Sequence, residues 1–179
     1  MSVIAFKITD DKVQVAADGR ALMEDRIVCE DIEKIVKISD SLIIGATGLA
    51  DTIGIFTKFV NANKNVFEKL CNTTDGLPLF KRFKEYMVDN FGYSEETLKD
   101  LGGFLVINKQ YHAVFYYDDG LSPFATSDTP NCLSGTLGST ATYTAALIDA
   151  GLSLEEAIKK SAQRYTSING NVTILEIDR

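Results

Sequence analysis

The sequence predicts an α+β fold in which two antiparallel sheets pack together and helices cover their outer faces, in an αββα order. Short strand patterns separated by turn residues occupy the first third of the chain and return after Gly102-Gly103. Each group of strands is followed by two segments with apolar residues at helical spacing, and one more strand closes the chain. Because the strands come as hairpins and not as βαβ units, we expect antiparallel sheets.

Two hairpins are predicted near the start of the chain. In the first, Val3–Ile8 and residues 13–17 flank a turn at Asp10-Asp11. In the second, residues 34–38 and 42–45 flank a Ser-Asp-Ser turn. Each pair has the length and the turn residues of two antiparallel strands joined by a short connection.

The later elements continue the same order. Helical spacing predicts one long helix over residues 49–70 and a second over residues 79–91. Strands are then expected at 104–107 and 112–116, a loop leading into 133–137, helices at 141–150 and 154–165, and a closing strand at 172–176. Because no linker, repeat or low-complexity segment interrupts this order, we expect residues 1–179 to form a single domain.

Composition and charge exclude several classes of partner. The chain has 179 residues, 45% of them hydrophobic and 24% charged, with a net charge of −7 and a pI near 4.7. Such an acidic chain lacks the basic patch that nucleic acid or an anionic membrane requires. No apolar stretch is long enough for a membrane span and the start lacks a signal-peptide pattern, so we expect a cytoplasmic protein.

The cysteines and the histidine give no sign of a cofactor. Cys29, Cys71 and Cys132 form no CxxC pair. Their odd number gives no disulfide framework, which favours a reducing compartment. Because the chain has a single histidine, we expect no His-rich metal site and no cofactor.

The start of the chain carries the candidate chemistry. Ser2 follows Met1, Asp18 comes sixteen residues later in a turn, and Lys34 sixteen residues after that. Removal of Met1 would give one residue both a hydroxyl nucleophile and a free α-amine. An α-amine with an unperturbed pKa of about 7.7–8.0 suits a general base near neutral pH. This arrangement points to an N-terminal nucleophile hydrolase.

Four segments, in order and in register, resemble the proteasome β-subunit family. They are residues 15–21, Lys34, residues 43–51 and residues 138–141. The short chain is most similar to the bacterial proteasome-like peptidase that works with a separate ring-shaped unfoldase. The resemblance implies the fold of the N-terminal nucleophile hydrolases and cleavage of peptide bonds in unfolded polypeptides.

The resemblance also implies roles for individual residues. The implied catalytic set is Ser2, Asp18, Lys34, Gly48 and Ser139. Gly48 would donate its backbone N–H to the oxyanion, and the late serine falls on Ser139 or, with a shorter loop, on Ser134. Substrate contacts are implied at Arg20, Ala21, Leu22, Ile32, Val36, Ala46, Thr47 and Ala50, and supporting roles at Tyr165 and Asn169.

Two positions depart from the family pattern. Ser2 stands where relatives usually have threonine, and so lacks the methyl group that restricts χ1 of the nucleophile. Tyr165 stands where relatives place an aspartate beside the amine, and a tyrosine is uncharged at neutral pH. The mechanism also requires that Met1 is removed, because a retained Met1 leaves Ser2 without a free amine.

Two other functions stay open at this point. The first is a catalytically silent ring or structural subunit, which a retained Met1 would produce. The second, less favoured, is an N-terminal nucleophile acylase that acts on small amides. An acylase predicts a deep polar pocket, whereas the implied pocket positions, such as Ala21, Ile32 and Ala46, are small or apolar.

An assembly is implied by the same resemblance. Such subunits close into hexameric or heptameric rings that stack face to face, and an ATP-dependent unfoldase ring admits the substrates. The chain has no GxxxxGK[ST] loop, so any use of ATP belongs to a partner. Some relatives hold a monovalent or divalent cation through backbone carbonyls of the segment that corresponds to residues 162–169, where no carboxylate cluster is present.

Overall fold

The computed structural model describes residues 2–23, 26–99, 101–117, 123–126 and 134–179. In these ranges the strands and helices, in chain order, are β1 (Val3–Ile8), β2 (Lys12–Asp18), β3 (Ala21–Met23), β4 (Arg26–Cys29), β5 (Ile35–Ser39), β6 (Leu42–Ala46), α1 (Thr52–Ala62), α2 (Lys64–Phe67), α3 (Thr73–Phe91), α4 (Glu95–Lys99), β7 (Phe104–Asn108), β8 (His112–Tyr117), β9 (Pro123–Thr126), β10 (Ser134–Gly138), α5 (Ala141–Asp149), α6 (Leu154–Arg164) and β11 (Val172–Asp178).

The sheet that carries the start of the chain has four antiparallel strands in the order β10, β1, β2, β11. Val3 lies opposite Gly138 on one neighbouring strand. On the other side, Ile4 lies opposite Ala17, so that the end of β2 reaches the beginning of β1. The first residues after Ser2 are therefore held between two strands, and Asp18 ends beside them.

The second sheet has five strands in sequential order, β5 to β9, each antiparallel to the next. Its strands β6 and β7 are buried along their whole length. They read as continuous apolar runs because both faces of the sheet are covered. Lys34 immediately precedes β5, and Thr47 immediately follows β6.

Buried apolar side chains join the two sheets and the helices into four layers. Between the sheets lie side chains such as Ile4 and Ile43. Helices α1 and α3 cover the five-stranded sheet through an aromatic cluster that includes Phe56 and Phe80. Helices α5 and α6 cover the four-stranded sheet through residues such as Ile158. The predicted αββα order is confirmed.

The helices after β6 differ from their predicted bounds. Residues 49–70 form two helices, because the backbone leaves helical geometry at Asn63 (φ −121°, ψ 21°), whose side chain donates to the Phe59 carbonyl. Helix α3 begins at Thr73 and not at residue 79. The Asn72 side chain caps it by accepting a hydrogen bond of 2.9 Å from the Asp75 N–H.

Several short elements were missed by the sequence analysis. They are the hairpin β3–β4, strand β9 and helix α4. Strand β4 is exposed at every position, so it lacks the apolar alternation that marks a half-buried strand. Cys29 and Cys71 are free and exposed, and Cys132 lies outside the described residues. No helix in the described ranges is both long enough and apolar enough to cross a bilayer.

Candidate active site

Ser2 is buried and its backbone is held on both sides. Its carbonyl accepts a hydrogen bond of 3.0 Å from the Ser139 N–H. The next residue, Val3, donates its N–H to the Asp18 carboxylate at 2.8 Å. Because two neighbouring strands hold the beginning of β1, the Ser2 side chain has a fixed backbone from which to act.

Asp18 and Lys34 form a buried ion pair next to this chain end. The Lys34 Nζ lies 2.8 Å from Asp18 Oδ1, and the two side chains are 6% and 0% exposed. Lys34 also donates to the Arg20 carbonyl at 2.7 Å. The second carboxylate oxygen of Asp18 accepts the Arg20 N–H at 3.0 Å. Both charges are therefore hydrogen-bonded, as buried charges require.

The protonation of Lys34 is set by two opposing effects. Burial disfavours the ammonium and lowers the pKa of Lys34 below its ordinary value of 10.5. The Asp18 carboxylate opposes this shift, because its negative charge and its hydrogen bond stabilise the ammonium. Burial is the larger of the two effects. Lys34 thus gives up its proton more readily than an exposed lysine.

A turn after β6 brings backbone groups to the same place. The Thr47 N–H donates to the Gly103 carbonyl at 3.0 Å, and the Gly103 N–H donates to the Thr47 hydroxyl at 3.0 Å. Gly48 has a φ of +106°, and a Cβ there would collide with the Gly102 backbone. Only glycine fits this close approach, so the turn presents its backbone without a side chain.

A cavity of about 110 Å³ opens in front of Ser2. Lys34 and Gly48 line it together with Ser2. Its other lining residues are Arg20, Ala21, Leu22, Ile32, Glu33, Ala46, Thr47, Leu49, Ala50 and Ile53. A hydroxyl, an ammonium and a glycine backbone thus meet at one small cavity of mixed polar and apolar lining, next to the Ser2 side chain.

The loop that carries Asp18 is tied to a distant segment by Asn169. The Asn169 side chain accepts the Gly19 N–H at 3.0 Å and donates to the Glu30 carbonyl at 2.7 Å. Arg20 forms a two-point contact of 3.0 and 3.1 Å with the Glu30 carboxylate. Hydrogen bonds from Arg20 and then from Asn169 lower the pKa of Glu30. Asn169 and Glu30 therefore hold the turn whose carbonyl binds Lys34.

A sequence model described as Proteasome subunit matches residues 1–107 of this chain. The chain belongs to that family. The matched residues are more than half of the chain and include Ser2, Asp18, Lys34 and Gly48, whereas Ser139 and Asn169 lie beyond them. No curated protein sequence matches this proteasome subunit.

Solved structures share this fold over nearly the whole chain. Eukaryotic HslV from Trypanosoma brucei is 18% identical, with a TM-score of 0.71 and 99% of each chain covered. BPH from Thiobacillus denitrificans is 14% identical, with a TM-score of 0.72 over 98% of this chain and 97% of that one. The complex of BPH with epoxomicin is 13% identical, with a TM-score of 0.69 and 98% of each chain covered. At these identities the likeness concerns the fold.

The late part of this proteasome subunit brings some of the predicted residues to the site and leaves others away from it. Ser139 follows β10 directly and contacts the Ser2 backbone, whereas Ser134 lies at the other end of that strand, opposite Lys7. The Tyr165 ring packs on Tyr143 at 5.6 Å, and Tyr165 is not among the residues that line the Ser2 cavity. Of the two serines, the structure thus brings Ser139 to Ser2.

The predicted substrate positions line the cavity with one exception. Val36 packs against the core beneath helices α1 and α3 and is not among the lining residues of the cavity. Glu33 and Ile53 also line the cavity and were not predicted from the sequence. Ile53 lies three residues after Ala50, close to one helical turn, and this spacing was a signal that could have found it.

No metal centre is evident in the described ranges, where no group of three or more His, Cys, Asp and Glu side chains is arranged to hold an ion. In the segment 162–169, the Thr166 carbonyl accepts a hydrogen bond of 2.5 Å from the Arg20 guanidinium. The positively charged Arg20 side chain is therefore already one partner of the Thr166 carbonyl.

Proposed function

We propose that this proteasome subunit is an N-terminal nucleophile peptidase that cleaves unfolded polypeptides, with Ser2 as nucleophile. The observation that carries the proposal is the buried pair of Lys34 and Asp18 at the Ser2 cavity. A buried charge pair costs desolvation energy that an apolar pair would not, so its presence at a cavity suits a catalytic role. The cavity is small, and the apolar part of its lining, which includes Ala21, Ile32 and Ile53, suits an unbranched or hydrophobic side chain before the cleaved bond.

The proposed reaction begins after Met1 has been removed. The α-amine of Ser2 accepts the hydroxyl proton as the Ser2 oxygen attacks the substrate carbonyl. The Lys34 ammonium favours the deprotonated forms of both groups, while Asp18 orients Lys34. The Gly48 N–H binds the oxyanion of the tetrahedral intermediate. The carbon–nitrogen bond then breaks, the leaving amine takes the proton, and water hydrolyses the resulting ester.

We also propose that the chain acts in a cytoplasmic assembly of stacked hexameric or heptameric rings. Family membership supports this part of the proposal. Rings that enclose their active sites admit only unfolded chains, so a separate ATP-dependent unfoldase ring would deliver folded substrates. The acylase alternative is less favoured, because an acylase needs a deep polar pocket, whereas this cavity is small and is lined in part by Ala21, Ile32 and Ile53.

The decisive experiment measures the intact mass of the purified protein and its peptidase activity on the same sample. We expect purified protein to lack the mass of one methionine and to cleave a denatured protein. Ser2→Ala and Lys34→Ala should each reduce kcat/KM by about a thousandfold or more, as removal of a nucleophile or its activator does. Ser2→Thr should keep the activity because threonine retains the hydroxyl.

Lys37→Ala is the matched control, because Lys37 is an exposed lysine on β5 that pairs with Asp40. It should leave both mass and activity unchanged. If Met1 is retained and no cleavage occurs, the silent subunit is the correct function. If Met1 is removed and Ser2→Ala remains fully active, Ser2 is not the nucleophile.

A further inference from the structure

A second cavity reaches Ser2 from another side. It has a volume of about 410 Å³. Its lining residues are Ser2, Thr47, Gly48, Gly102, Gly103, Tyr116, Gly138 and Ser139. It shares Ser2, Thr47 and Gly48 with the first cavity, and its other lining residues are different. The two cavities therefore meet at the candidate nucleophile and at the turn that presents the Gly48 backbone.

The two cavities differ in size and in charge. The first is about 110 Å³ and is lined in part by Arg20, Glu33 and Lys34. The second is larger, and none of its described lining residues carries a charge. A cleaved peptide bond has a side chain on each side of it. A peptide whose carbonyl lies at Ser2 can therefore place one of them in each cavity.

Glycines let the walls of this second cavity pack closely together, and Tyr116 contributes the one large side chain among its described lining residues. A Cβ at Gly103 would lie 2.7 Å from the Tyr116 ring, too close for a real contact. A Cβ at Gly138, where φ is +110°, would collide with the Ser2 carbonyl. The walls therefore consist mainly of backbone, and the Tyr116 ring is the large apolar surface among them. Tyr116 is half-buried, and burial raises the pKa of its hydroxyl, which keeps it neutral.

We propose that this second cavity binds the residue that follows the cleaved bond, and that Tyr116 selects a large uncharged side chain there. The inference rests on the proposed function and extends it to the leaving side of the substrate. An aromatic side chain stacked on Tyr116 gains contact area, whereas a charged one loses hydration and meets no charged side chain among the described lining residues. Tyr116 is thus a specificity-determining residue and takes no part in the chemistry.

The test is to map cleavage sites in a denatured protein by mass spectrometry for the parent chain and for variants. For the parent, we expect aromatic and large aliphatic residues to be enriched immediately after the cleaved bond, and acidic and basic residues to be depleted. Tyr116→Ala should reduce the aromatic enrichment by about twofold to tenfold, the value of one aromatic pair. Tyr116→Phe should keep it.

Ile53→Ala provides the matched control, because Ile53 lines the first cavity and not the second. It should change the preference before the cleaved bond and leave the preference after it unchanged. Tyr116→Leu, which keeps most of the side-chain volume, replaces Tyr116→Ala if that variant fails to fold. Cleavage with the same preference after the bond in Tyr116→Ala or Tyr116→Leu as in the parent overturns this inference alone. Absence of cleavage by the parent chain overturns the proposed function, and this inference with it.

Discussion

At the scale of single residues, Lys34 is the side chain on which the proposed chemistry depends most. It is buried, and its ammonium donates to the Asp18 carboxylate and to the Arg20 carbonyl. Its pKa results from burial, which lowers it, and from Asp18, which raises it. Both the charge on Lys34 and its orientation therefore depend on one carboxylate that is itself held by the Val3 N–H.

We expect a bell-shaped dependence of kcat/KM on pH. Activity should fall at low pH as the α-amine of Ser2 becomes protonated, and at high pH as Lys34 loses its proton. Because burial lowers the pKa of Lys34, the alkaline limb should lie below 10.5, the ordinary value for lysine. Asp18→Asn removes the charge that raises this pKa, so it should move the alkaline limb to still lower pH.

The control for this pH profile is Asp40→Asn, which removes a carboxylate from an exposed pair with Lys37. Exposed pairs are screened by water, so this variant should leave the profile unchanged. An alkaline limb in the same place for Asp18→Asn and for the parent would contradict the role given to Lys34.

At the scale of secondary-structure elements, the packing of helix α3 on the five-stranded sheet depends on a position without a side chain. Gly76 lies over the ring of Phe115, and a Cβ there would approach it to 2.5 Å. One turn later, Phe80 stacks on the same ring, with centroids 4.0 Å apart and planes 10° apart. The close contact between α3 and β8 thus depends on the lack of a side chain at Gly76 and on the stacking of Phe80 on Phe115.

Gly76→Ala should therefore lower the free energy of unfolding by about 1–3 kcal/mol, the usual cost of overpacking. Gly54→Ala is the opposite control, because a Cβ at this exposed position in α1 meets nothing within 4 Å. It should raise the free energy by about 0.5–1 kcal/mol, since alanine is the better helix former. Urea unfolding midpoints measure both. A midpoint for Gly76→Ala equal to that of the parent would contradict this account of the packing.

Long, buried strands and helices could be predicted from the sequence better than short, exposed ones. Strands such as β6 and β7 were predicted because burial on both faces leaves a continuous apolar run. The hairpin β3–β4 has no such run, because β4 is exposed at every position. The break at Asn63 was missed for a related reason, because a hydrogen bond and not the apolar spacing ends that helix.

The residues of the candidate site also fall into two groups, those that could be predicted from the sequence and those that could not. Ser2, Asp18, Lys34 and Gly48 were predicted because their spacing matches a family pattern, and the structure brings them to one chain end and its cavity. Glu30 was not predicted. It acts on the site through Arg20 and through Asn169, which is 139 residues away, and only the folded chain reveals such a contact.

At the scale of the whole molecule, the site lies at one end of the sheets, where β1 and β5 begin and β2 and β6 end. The chain start, the turn after β6 and the loop after β2 meet at the Ser2 cavity, while the helices lie on the outer faces. In the monomer, the cavities at Ser2 are not enclosed by another subunit. Enclosure in a ring would restrict access to them, which links the proposed assembly to the choice of unfolded substrates.

We expect native mass spectrometry to give a particle with the mass of two stacked hexameric or heptameric rings. The chain exposes large apolar side chains such as Val66 and Phe91. Because salt does not screen apolar contacts, we expect this mass to persist at high salt concentration. Sedimentation velocity provides an independent measure of the same particle. A monomer that degrades unfolded proteins at micromolar concentration would contradict the assembly while leaving the peptidase intact.

The contact between Gly19 and Asn169 joins residues that are 150 positions apart. During protein synthesis, Gly19 is made long before Asn169. Until the ribosome has released the segment around Asn169, the turn that carries Asp18 lacks one of its anchors, and Lys34 lacks a firmly placed carbonyl partner. Under the proposed function, a nascent chain would therefore stay inert while it is being made, and its own translation would delay the proposed hydrolysis.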